Sequence, residues 1–136
     1  MTYLLDTNAC IALINGRPLS VRTRFAVTSA HGEVMAMSSI VLYELWYGVA
    51  KSERRAANAD RVRAFLSGPM EVVDFGPEDA RHAGDIRAIA ETVGQPLGAY
   101  DLLIAAQAMR LGALLVTANQ REFARVPGLR WEDWTT

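Results

Sequence analysis

The sequence predicts a single α/β domain spanning residues 1–136. Its core is a mostly parallel sheet of four to five strands with helices on both faces. Three observations lead there. Short apolar runs alternate along the chain with helix-length segments, the pattern of β-α-α repeats. The runs at residues 2–5 and 113–116 are short and apolar, as strands covered on both faces should be. The 136 residues, 51% of them hydrophobic, suffice for one sizeable core and are too few for two comfortable ones.

Each element follows from local chemistry. Thr2–Leu5 reads as a buried strand ending at Asp6. Thr7 or Asn8 is placed to cap a helix through Ala9 to Ile14, which Asn15-Gly16 and Pro18 stop. Residues 20–30 read as a second helix with Val21, Phe25 and Val27 turned inward, and Gly32 breaks it. Residues 33–37 form a second strand. Ser38-Ser39 caps a helix containing Glu44, and a basic, Ala-rich helix follows over 53–66. Gly68-Pro69 ends this pair, and residues 71–75 make a third strand. Pro77 suits the first turn of a helix running to about Val93. After the loop Gly94–Gly98, Asp101 begins a helix that stops near Leu111-Gly112. Residues 113–116 are a fourth strand, 119–123 a brief turn or helix, and 129–131 an edge strand.

Composition narrows the function. Formal net charge is −1, from 14 basic and 15 acidic residues, so no basic excess announces a nucleic-acid binder. It does not exclude one, because a local basic rim can accept phosphates while metal ions carry the rest. The single cysteine, Cys10, excludes an intrachain disulfide and a multi-cysteine zinc site, and it reads as a small apolar side chain on the first helix. His31 and His82 fall in stretches that read as exposed helix. No apolar stretch reaches membrane-spanning length, so the expectation is a soluble, cytoplasmic protein.

The chemistry lies in acids placed where water does not explain them. Asp6 follows Tyr3-Leu4-Leu5, Glu44 lies inside Ile40–Tyr47, Asp101 precedes Leu102–Ala106, and Asn119 comes just after Leu114–Thr117. Burying such carboxylates is costly unless something positive neutralises them. No Lys or Arg lies within a helical turn of Asp6, Glu44 or Asp101. A hard divalent cation held by oxygen ligands solves the problem. Ligands in open α/β sheets bind beyond the carboxyl ends of the strands, where Asp6 and Asn119 sit.

Three segments, Leu4-Leu5-Asp6-Thr7-Asn8, Ser38-x-x-Val41-x-x-Glu44-Leu45-x-x-Gly48 and Gly98-x-x-Asp101-x-x-Ile104-Ala105-Ala106, resemble the signatures of PIN-domain ribonucleases. More narrowly they resemble the VapC toxins of bacterial toxin–antitoxin pairs. The segment from Leu115 to Leu129 resembles that family's closing stretch. The resemblance implies an acidic pocket binding Mg²⁺ or Mn²⁺, endonucleolytic cleavage of RNA to 5′-phosphate and 3′-hydroxyl ends, and neutralisation by a cognate antitoxin. It implies a homodimer within a toxin–antitoxin complex that contacts DNA through the antitoxin, and an RNA target such as transfer RNA. Carried over by position, Asp6, Glu44 and Asp101 match the metal-site acids. Many relatives have an Asp near the fourth position, where this chain offers Asn119 and then Glu122. Thr7, Asn8, Ser38, Thr117 and Glu122 are expected to orient the carboxylates by hydrogen bonds.

Each residue also has a plainer reading. Asp6 and Asp101 taken singly are helix caps or helix-start carboxylates, Glu44 half of a buried salt bridge, and Asn119 a turn residue. Tyr47, Lys51, Arg54, Arg55 and Tyr100 are candidates for RNA or antitoxin contact, against a solvated helix face for the cations and simple packing for the rings. Trp131 and Trp134 are expected to cover the sheet edge. Two alternatives to an endoribonuclease stand: a PIN-like nuclease acting on DNA or flaps, and a catalytically degenerate module that binds RNA or antitoxin. A receiver domain fails, since Phe75 and Thr117 stand where it needs aspartate and lysine. A haloacid-dehalogenase phosphatase fails because Asn8, not Asp, lies two residues after Asp6.

Overall fold

A computed structural model describes all residues, Met1–Thr136. The first strand, β1 (Thr2–Leu5), lies at the centre of a five-stranded sheet. Around it run α1 (Thr7–Asn15), α2 (Leu19–Ala30), β2 (Val34–Ser38), α3 (Ser39–Ala50), α4 (Arg55–Leu66) and β3 (Glu71–Val73). Then come α5 (Pro77–Thr92), α6 (Ala99–Leu111), β4 (Leu114–Val116), α7 (Gln120–Phe123) and β5 (Trp131–Glu132). The strand order is β3-β2-β1-β4-β5, and every pairing is parallel. The edge strand expected at 129–131 is real but sits one to two residues later, paired to β4 through Leu115↔Trp131.

The core forms because β1, β2 and β4 are buried on both faces. Leu4, Leu5, Met35, Ala36, Met37, Leu115 and Val116 join one cluster with Cys10, Ile104 and Ala105 from the covering helices. Trp134 does more than cover an edge: it is almost wholly buried beside Tyr3, whose ring centroid lies 5.8 Å away. Trp131 is half-buried in β5. No helix is long and apolar enough to cross a membrane.

Four local expectations are corrected. Asp6, not Thr7 or Asn8, caps α1: its Oδ1 accepts the Ala9 N–H at 2.8 Å. Val27 points outward and is 51% exposed, whereas Val21 is buried and Phe25 packs on the core. The third strand stops at Val73, because the Phe75 N–H leaves the ladder to donate to the Ser39 Oγ at 3.0 Å. Asp101 does not begin α6. Gly98 caps it without a side-chain bond, and Asp101 lies in its first turn.

One buried acid was invisible in the sequence. Asp79, in the first turn of α5, is fully buried. Its Oδ2 accepts the Gly76 N–H at 2.8 Å, satisfying the N-cap backbone of α5, and Arg110 of α6 pairs with both its oxygens. Gln107, also fully buried on α6, donates to the Val73 and Asp74 carbonyls at 3.2 and 3.1 Å. These two anchors fix α6 against α5 and the end of β3.

Candidate active site

Because all strands are parallel, their carboxyl ends share one edge of the sheet. Asp6 leaves β1 there, and its N–H donates to the Val116 carbonyl of β4 at 3.1 Å. That bond places Asp6 beside Thr117, whose hydroxyl supports its charged form. The Thr7 hydroxyl, not needed as a cap, donates to Glu44 Oε1 at 2.7 Å and ties α1 to α3. Asn119 Nδ2 bridges two carboxylates, donating to Asp101 Oδ2 at 3.2 Å and Glu122 Oε2 at 3.0 Å. Glu122 also accepts the Gly98 N–H, and the Asn119 N–H donates to Thr117 Oγ1 at 2.9 Å. Asn119 therefore presents its amide nitrogen to the acids rather than the carbonyl oxygen a metal ligand would offer.

The electrostatics are those of crowded anions. Burial, followed by the hydrogen bond and charge of Glu122 and then the charges of Asp6 and Glu44, pushes the Asp101 carboxyl up to about 7. Burial also raises Asp6, helped by Glu44 and Asp133 and opposed by Thr117 and the Ala9 N–H. Burial would raise Glu122 too, but the Gly98 N–H, Asp101, Asn119 and the charge of Arg125 outweigh it and hold Glu122 below its ordinary range. Of the two neighbours, Glu122 therefore ionises first and Asp101 last. No Lys or Arg forms an ion pair with Asp6, Glu44, Asp101 or Glu122; every ion pair of the protein lies elsewhere. The salt-bridge reading of Glu44 therefore has no partner, while the cap reading of Asp6 holds alongside its place in the cluster.

As the side chains stand, no three Asp, Glu, His or Cys groups form a chelating set. Repulsion keeps the carboxylates on separate neutral partners: Asp6 on Ala9, Glu44 on Thr7, Asp101 on Asn119. The donor set itself is all oxygen, anionic and partly desolvated, with no sulfur or imidazole in it. That chemistry fits a hard divalent ion such as Mg²⁺ or Mn²⁺ and not a soft one.

The other expected residues divide. Thr7, Thr117 and Glu122 touch the acids. Ser38 does not; it is buried and caps α3, accepting the Ile40 N–H at 3.0 Å. Asn8 is exposed and makes no side-chain hydrogen bond to the cluster. Tyr100 and Tyr47 are exposed at the rim, Tyr100 with its hydroxyl 3.2 Å from that of Tyr43. Lys51, Arg54 and Arg55 are exposed. Asp133 was missed: it follows β5 and its charge reaches Asp6. The rule that strand carboxyl ends line the site would have found it had β5 been placed one residue later.

A model of the PIN domain matches residues 3–129. The tRNA(fMet)-specific endonuclease VapC of Shigella flexneri is 42% identical over 99% of both chains. Ribonuclease VapC2 of Rickettsia felis is 41% identical over 98% of both. Among solved structures, VapBC2 of Rickettsia felis bound to a promoter DNA fragment superposes with a TM-score of 0.92 at 40% identity, covering 98% of this chain and 99% of that one. DNA-bound VapBC of Salmonella typhimurium gives 0.90 at 42% identity over 98% of both. Five parallel strands, an anionic cluster at their carboxyl ends and near-full-length similarity agree: the chain belongs to the PIN-domain family, among its VapC ribonucleases.

Proposed function

We propose that the protein, through the whole of residues 1–136, is an Mg²⁺- or Mn²⁺-dependent endoribonuclease and the toxin of a toxin–antitoxin pair. One observation carries the metal site: Asp6, Glu44 and Asp101 sense one another's charge, yet no Lys or Arg pairs with any of them, and the charge of Arg125 acts only on Glu122. Asp6, Asp101 and Glu44 would hold the ion. Bound there, it supplies positive charge to the phosphoryl oxygens and a more acidic water. The Thr7 hydroxyl engages Glu44 Oε1, and Oε2 would take a proton from the attacking water. Asn119 and Glu122 hold Asp101 in register, and Thr117 steadies Asp6. Asn119 thus serves catalysis as a bridge rather than as a ligand.

The partner reading has its own support. A groove of about 250 Å³ runs between α1, α3 and α4, lined by Ile11, Ile14, Leu45, Val49 and Val62 together with Glu44, Asn58 and Arg61. A cognate antitoxin lying there reaches the acid cluster. Homodimers of the toxin, bound to DNA through the antitoxin, complete the proposed complex in the cytoplasm. The names of the relatives make transfer RNA the first substrate to try. The test is purified protein with total RNA, and DNA in parallel, with and without Mg²⁺ or Mn²⁺, followed by sequencing of the cut ends. RNA cleavage that needs the metal and vanishes in Asp6→Asn is the expected result. Metal-independent cleavage, or full activity in Asp6→Asn, defeats the assignment, and cleavage of DNA alone favours the flap-nuclease alternative.

A further inference from the structure

Helix α7 carries side chains on which the acid cluster depends, and it is too short to hold itself. It spans Gln120–Phe123, a single turn. One turn fixes several backbone angles for little hydrogen bonding and needs outside support. Its cap residue, Asn119, gives it no side-chain bond, because that amide is engaged with Asp101 and Glu122. Phe123, fully buried in the core, fixes the far end. The near end carries Asn119 and Glu122. There the Asn119 N–H rests on Thr117 Oγ1, and Gln120 Nε2 donates to Asp133 Oδ2 at 2.8 Å.

Asp133 is itself held in place. Its Oδ1 accepts the Thr135 N–H at 2.8 Å and the Thr135 hydroxyl at 2.6 Å. Both its chain neighbours are fixed. The Glu132 carbonyl accepts the Thr117 N–H at 2.9 Å, and Trp134 is almost wholly buried. One carboxylate oxygen is thus occupied within the C-terminal segment, and the other is turned to α7. Asp133 pairs with no Lys or Arg, so Gln120 is the one side chain from outside that segment that bonds to it. A hydrogen bond to an ionised acceptor is shorter and stronger than one between neutral groups.

We propose that Asp133 is a positioning residue for the reaction: by holding Gln120 it fixes the start of α7, and with it the Asn119 and Glu122 side chains that set Asp101. The inference rests on the nuclease reading of the acid cluster and adds to it a residue that acts through another.

Three variants separate the link from the charge. Gln120→Ala breaks the link and leaves Asp133 its charge and its bonds to Thr135. Asp133→Ala removes link and charge together. Asp133→Asn removes the charge and keeps a link, since its amide still meets the Gln120 amide once the latter turns over. With RNA and saturating Mg²⁺, Gln120→Ala and Asp133→Ala each lower kcat about tenfold and leave KM unchanged. The double variant loses no more than either single one. Asp133→Asn recovers most of what Asp133→Ala loses. A second reading needs no cleavage and no metal. By NMR the Gly98 amide, which donates to Glu122, exchanges with solvent about tenfold faster in Gln120→Ala, while the amides of β1 and β4 keep their rates. An unchanged kcat in Gln120→Ala overturns the proposal, and so does unchanged Gly98 exchange. Asp133→Asn as impaired as Asp133→Ala also overturns it, because the charge of Asp133 and not the link is then what matters. A faster Gly98 amide in Gln120→Ala, without any Mg²⁺-dependent cleavage by the wild type, defeats the nuclease reading and leaves the hold on α7 standing.

Discussion

Asp101→Asn should make the protein more stable and inactive at once. The folded chain holds the Asp101 carboxyl at about 7, against its ordinary 3.8, mainly because it is buried and secondarily because Glu122, Asp6 and Glu44 crowd it. At ~1.36 kcal/mol per pH unit that gap corresponds to about 4 kcal/mol. Asp101 is only half-buried, and solvent screening reduces the figure to roughly 1–2 kcal/mol. The sign follows from the direction of the shift. A carboxyl raised in the folded state contributes stability that is complete below pH ~4 and is lost as pH rises through about 7. Asn at this position is neutral at every pH and keeps acceptor and donor atoms for Asn119 and Glu122. In EDTA at about pH 8 the variant therefore melts roughly 3–10 °C above the wild type, and near pH 4 the two coincide. Millimolar Mg²⁺ reverses the order by stabilising the wild type preferentially. Circular dichroism melts over this pH range, with EDTA or Mg²⁺, read the effect; RNA cleavage is followed in parallel. A variant less stable than wild type at pH 8 in EDTA, or Mg²⁺ stabilising both equally, refutes the picture of mutually repelling acids.

Three other changes probe the surroundings. Thr7→Val removes the 2.7 Å bond that orients Glu44, and the Mg²⁺ concentration for half-maximal cleavage rises about tenfold or more; an unchanged titration clears Thr7 of any role. At Gly98 an added Cβ meets Glu122 Oε1 at 3.2 Å and Asp101 Oδ2 at 3.7 Å, while φ is −59°, open to any residue. Gly98→Ala accordingly lowers kcat several-fold and moves the melting temperature by less than about 3 °C, and a normal kcat shows that Glu122 yields freely. Asp79→Ala strands the Arg110 guanidinium and the Gly76 N–H, costing about 3–5 kcal/mol in urea unfolding, and a loss under about 1 kcal/mol denies the anchor its role.

Much of this architecture is legible in the chain because the signals are local. Apolar runs such as Leu4-Leu5 and Leu115-Val116 can only be strands buried on both faces, and Gly112, in the left-handed conformation at φ 64°, ends α6 where expected. The misreadings have physical causes. Asp6, Thr7 and Asn8 are all competent caps, and only the tertiary demand of Glu44 for a donor decides that Thr7 is diverted and Asp6 takes the task. The start of α6 was hidden because Gly98 caps without a side chain. Asp79 cannot be told from an ordinary first-turn acid locally, because its partner Arg110 lies 31 residues away.

The acids come from the ends or interiors of four separate elements, so their meeting depends on sheet register. Leu5↔Val116 pairing sets Asp6 next to Thr117, and Leu4↔Ala36 pairing sets where β2 ends and α3 begins, hence where Glu44 falls. A slip of one residue in either ladder would exchange the faces on which Leu4 and Leu5 pack and scatter the carboxylates together. The hydrophobic pattern that folds the sheet therefore also positions the site. Asp101 is the exception, since no strand leads into its helix. Its place is held instead by the buried Asp79–Arg110 pair and by Gln107 on the Val73 and Asp74 carbonyls. Polar anchors with fixed geometry suit that task better than apolar packing, because a helix carrying a repelled carboxylate can slide along a greasy surface but not past a satisfied hydrogen bond.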